Sequence, residues 1–96
     1  MPDSTYGSNY TQVAATTATD TVIKASAGRL CSVQVIVTGS NPMAIYDNAT
    51  AGSGTVLAQL PASPTVGTIY QFLIPSVNGI TVKGSATNPG VNIVWY

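Results

Sequence analysis

The clearest hydrophobic pattern in this chain is the run LCSVQVIVT at residues 30–38, where Cys31, Val33, Val35 and Val37 alternate with Ser32, Gln34 and Ile36. A period of two sends these sets to opposite faces of a strand. The β-branched residues Val33, Val35, Ile36, Val37 and Thr38 oppose a helix. A second alternation occupies VNIVWY at 91–96: Val91, Ile93 and Trp95 share one face, expected in the core, and Tyr96 falls on the other.

Five more segments read as strands: 20–26, 43–47, 55–60, 68–75 and 80–84. In TIYQFLIP (68–75), Tyr70, Phe72 and Ile74 oppose Ile69 and Leu73, which predicts burial on both sides. In ITVKG, Ile80 and Val82 point inward. Turn chemistry separates the strands: Gly28 within AGR, able to take a positive φ; GSNP at 39–42; the small-residue hairpin tip NATAGSG at 48–54; the proline-rich link 61–67; Asn78-Gly79; and SATNPG at 85–90. About seven short strands and no helix predict an all-β fold, a single antiparallel β-sandwich or small barrel spanning residues 19–96. The pattern does not choose between immunoglobulin-like and jelly-roll-like topology.

Residues 1–18 are polar, small and aperiodic, and predict an extended N-terminal arm, either a frayed terminus or a docking segment. Tyr6 and Tyr10, four apart, fall on one side of an extended chain and favour docking on a neighbouring subunit or partner.

Charge narrows the function. Only Asp3, Asp20, Lys24, Arg29, Asp47 and Lys83 are ionised, and there is neither His nor Glu. A typical domain is about a quarter charged. No nucleophile–base pair or close carboxylate pair presents itself, so no catalytic residue is assigned and an enzyme is not expected. Cys31 has no His to activate it and is expected to be a buried core residue. No metal or cofactor is expected: Asp47 and Asn48 are too few for calcium and suit turn formation, and GSG (52–54) lacks the Lys of a phosphate loop. Three cations cannot form a nucleic-acid stripe. The start of the chain lacks the regions of a signal peptide and no run reaches membrane-span length, so cytoplasmic synthesis without membrane insertion is expected. The triplets Asn9-Tyr10-Thr11 and Asn48-Ala49-Thr50 match the glycosylation pattern but carry no weight without that signal. Of the aromatics, Trp95 is expected in the core, whereas Tyr6, Tyr10 and Tyr96 are the candidate partner contacts.

The segments AIYDNATAGSGTVLAQLP (44–61), VNGITVKG (77–84) and VNIVWY (91–96) resemble a recurrent pattern in small β-rich structural proteins of tailed bacteriophages. The shared features are a Tyr-Asp-Asn strand end, a small-residue hairpin tip, a hydrophobic return ending in Pro and an Asn-Gly-Ile-x-Val strand. The resemblance covers about half the chain and omits residues 1–40. It implies a non-enzymatic virion protein made in the host cytoplasm, with a capsid decoration (cement) protein as the closest type. Such a protein would be a homotrimer on the capsid surface, bound to the major capsid protein. The alternative is a carbohydrate-binding or adhesion module of a phage tail or fibre, with exposed tyrosines as its contacts.

Overall fold

A computed structural model describes residues 9–96. They form eight strands: β1 (Asn9–Val13), β2 (Thr21–Lys24), β3 (Gly28–Val37), β4 (Ala44–Tyr46), β5 (Val56–Gln59), β6 (Ile69–Ser76), β7 (Ile80–Val82) and β8 (Gly90–Trp95). Two four-stranded sheets, ordered β1-β8-β3-β6 and β2-β7-β4-β5, pair antiparallel throughout. They pack as a β-sandwich. One inner face supplies Val13, Leu30, Val33, Val91 and Ile93; the other supplies Ile23, Ile45, Ala58, Ile80 and Val82, with Met43 and Leu60 beside them. Each fully buried Val, Ile, Leu or Met contributes about 1.5–3 kcal/mol. Leu57, Tyr70, Phe72 and Trp95 pack partly buried against this core, and the Trp95 indole donates to Thr11 Oγ1 at 3.0 Å.

The eighth strand lies within the stretch expected to be an arm. In NYTQV, Thr11 and Val13 stand opposite Ile93 and Val91 of β8, so one buried valine and a complete ladder are enough to add a strand. The remaining part of that stretch, residues 1–8 with Tyr6, lies outside the described residues.

Alternation along β3 is broken twice. Leu30 pairs with Trp95 and Ser32 with Val94, so Cys31 is an extra residue against β8; a second irregularity falls between Val35 and Val37. A bulge resets which side chain points inward. Leu30, Val33 and Val35 are therefore buried, and Cys31 is buried as expected, but Val37 is exposed and does not continue the core face. The expectation for β6 also fails. Ile69 is 62% exposed, and Tyr70, Phe72, Leu73 and Ile74 are only half-buried, because β6 is an edge strand with one covered face. Opposite Cys31, β6 inserts two residues, Phe72 and Leu73, and Leu73 takes φ 55°. Gly28 does not turn with a positive φ. It opens β3, and a Cβ there would run into the Tyr96 carbonyl oxygen and come within 2.8 Å of the Lys24 side chain.

Candidate functional site

Four of the five described charged residues, Asp20, Lys24, Arg29 and Asp47, are engaged by hydrogen bonds or ring contacts within the molecule. Asp20 accepts the backbone N–H groups of Gly84 and Gly52, each at 2.8 Å, which joins two loops distant in sequence. These bonds, helped by Lys83, hold its carboxyl below the usual carboxylate range against a small opposing effect of burial. Asp47 accepts from Asn78 at 2.7 Å, from Val77 at 3.1 Å and from Gly79 at 3.2 Å. Its pKa is likewise lowered, chiefly by the Asn78 bond. The turn role expected of Asp47 thus serves a neighbouring turn, whereas Asn48 binds its own loop through Thr50 and Ala51 N–H. Arg29 donates to the Leu73 carbonyl at 2.8 Å. The Lys24 ammonium lies 5.8 Å from the Trp95 ring and 5.6 Å from the Tyr96 ring. Burial raises the Cys31 thiol pKa, with a smaller opposing effect of Arg29. Among the described residues no three His, Cys, Asp or Glu side chains cluster as metal ligands, and no helix is long and apolar enough to cross a membrane.

The outer faces of the two sheets differ. On the β2-β7-β4-β5 sheet, Thr81 is fully buried and its hydroxyl donates to the Asn48 carbonyl at 2.7 Å, while a Cβ on Gly52 would meet Lys83 Cα at 2.8 Å. The hairpin tip 48–54 therefore lies over that face. The outer face of the other sheet carries two rows, each crossing all four strands. One row runs Tyr10, Val94, Ser32 and Gln71; the other runs Gln12, Asn92, Gln34 and Ile69. Neither row contains an ionisable acid or base other than the Tyr10 phenol. Tyr10, Ser32, Gln34, Ile69, Asn92 and Val94 line a shallow groove of about 530 Å³. Tyr10 is 73% exposed at its edge. Among the described residues, Asn92 Oδ1 is buried without a hydrogen-bond partner.

Of the tyrosines singled out in the sequence, Tyr10 and Tyr96 do not share a site. Tyr10 belongs to the groove. Tyr96 is 39% exposed and does not line it; its backbone is locked to Arg29 by bonds of 2.8 and 2.9 Å. Tyr6 is not among the described residues. The amide row was not singled out from the sequence, because Gln12, Gln34 and Asn92 come from three strands and only the pairing aligns them. No protein family, no curated protein and no solved structure matches this chain.

Proposed function

We propose that this chain is a non-enzymatic virion structural protein, a capsid decoration protein that binds and stabilises the shell of the major capsid protein and associates as a homotrimer. The observation that carries the reading is Tyr96, which stays 39% exposed while its backbone is paired to Arg29, so one of the candidate contacts is held at the surface by the sheet. Internal use of the charges supports a contact made by apolar and neutral polar groups. A net charge of zero supports close association of copies. The phage-like segments supply the virion setting: 44–61 holds β4, the covering hairpin tip and β5, 77–84 holds β7, and 91–96 holds most of β8.

Co-sedimentation with undecorated capsids tests the proposal. Saturable binding is expected, changing little between about 0.1 and 1 M salt, over which the screening length falls from about 10 to about 3 Å. Deleting residues 1–8 should weaken it. Absence of binding, or binding that collapses with salt, would overturn the proposal. Light scattering checks the trimer.

A further inference from the structure

We infer that the groove on the outer face of the β1-β8-β3-β6 sheet is a binding site for an uncharged oligosaccharide. The inference goes beyond capsid decoration.

Four observations converge on that ligand class. The two rows contain no Asp, Lys or Arg, so nothing there would compensate a phosphate, sulfate or carboxylate. In the groove Gln34 and Asn92 each offer a donor and an acceptor on one amide, Ser32 adds a hydroxyl, and Gln12 continues the amide row beside it. A sugar hydroxyl both donates and accepts, so a polyhydroxylated ring can use this mixed set.

The third observation is Asn92 Oδ1, a buried acceptor with no partner among the described residues. An unsatisfied buried acceptor is costly. The Asn92 side chain itself is partly exposed, so rotation of its amide would turn this oxygen towards a sugar O–H, a bond an apolar ligand could not make. The fourth is the arrangement of apolar groups. The exposed Tyr10 ring stands at one edge, with Val94 beside it in the same row and Ile69 at the far end of the other row. A pyranose presents an apolar C–H face that packs on such groups while its hydroxyls meet the amides. Three inter-strand gaps make the face about 14 Å across, wide enough for a short oligosaccharide.

The full chain should be tested against neutral glycans containing glucose, galactose or N-acetylglucosamine, together with sialylated and sulfated counterparts. A neutral glycan that binds is then titrated while amide NMR spectra are recorded. Saturable shifts are expected on the outward rows of β1, β3, β6 and β8. Tyr10→Ala should weaken binding at least tenfold, and Gln34→Ala provides an independent variant at the opposite side of the groove. Asn92→Ala should weaken binding while leaving the melting temperature unchanged or higher, since it deletes an unpaired buried acceptor; a residue with a purely structural role would lower it. The inference is overturned if no neutral glycan binds at millimolar concentration, if acidic glycans are preferred, if the variants bind as the parent does, or if a second copy of the chain occupies the face in solution.

Discussion

The Asn41 side chain donates to Asn88 Oδ1 at 2.7 Å, joining the loop before β4 to the loop before β8. Asn88 is 1% exposed and also donates to the Lys83 carbonyl at 2.8 Å, while its own carbonyl accepts from Thr16 N–H at 3.0 Å. Asn88→Ala removes the donor to the Lys83 carbonyl and leaves the Asn41 amide only its bond to the Pro42 carbonyl, and should lower unfolding free energy by roughly 1–3 kcal/mol in a urea titration. Four residues away, Asn92→Ala should do nothing of the kind. The same substitution is thus expected to have opposite consequences on either side of one strand start.

Acid should destabilise the fold through Asp20 and Asp47. Both have folded pKa values below their unfolded ones, so their contribution is fully present above the unfolded value of about 4 and is lost as pH falls through the folded values. The melting temperature is expected to be flat between about pH 5 and 8, where no His titrates, and to fall below about pH 4. The double variant Asp20→Asn, Asp47→Asn should be less stable at pH 7 and show a shallower acid decline. An equally steep decline would assign the acid sensitivity to other groups.

Arg29 holds the bulge at its Leu73 carbonyl, where a bulky residue sits at φ 55°. Arg29→Met keeps the aliphatic stem but removes the donor. A loss of about 1–3 kcal/mol is expected in chemical denaturation, in the range for a hydrogen bond to a charged group. Arg29→Lys should recover only part of it, because an ammonium lacks the planar fork that reaches the carbonyl from β3.

Truncation should separate the two parts of the N-terminal stretch. Deleting residues 1–13 removes β1, uncovers the edge of β8 and takes away Thr11, the partner of the Trp95 indole. Deleting residues 1–8 leaves that ladder in place. The longer deletion should lower the melting temperature far more than the shorter one, and tryptophan fluorescence should report a more solvated Trp95 only in the longer.

Seven of the strands were legible because each carries its own evidence: alternation in 30–38 and 91–96, and Gly, Pro or Asn-Gly between the others. The burial of Cys31 was legible from its apolar setting, although it sits at a bulge and not in the alternation, and Trp95, expected in the core, packs only partly buried against it. The eighth strand was not legible, since NYTQV has a single aliphatic residue and acquires its place only by pairing with β8. The exposure of Val37 and Ile69 was hidden too. A bulge and an edge position are properties of partner strands, which a local period cannot express. The candidate site was the least legible part. Tyr10 stood out as an aromatic in a polar segment, but Ser32, Gln34 and Asn92 looked like the ordinary polar halves of alternating strands until the register brought them into one groove.

The scarcity of charge also sets how this protein would meet a partner in time. With six ionised side chains in 96 residues and a net charge of zero, little long-range field exists to draw a partner in or orient it. Encounters are then unsteered, with association rates near the neutral range of about 10⁵–10⁶ M⁻¹s⁻¹. Tight attachment must come from slow departure: the residence time of a bound copy, rather than the speed of its arrival, is the quantity its neutral surface can tune.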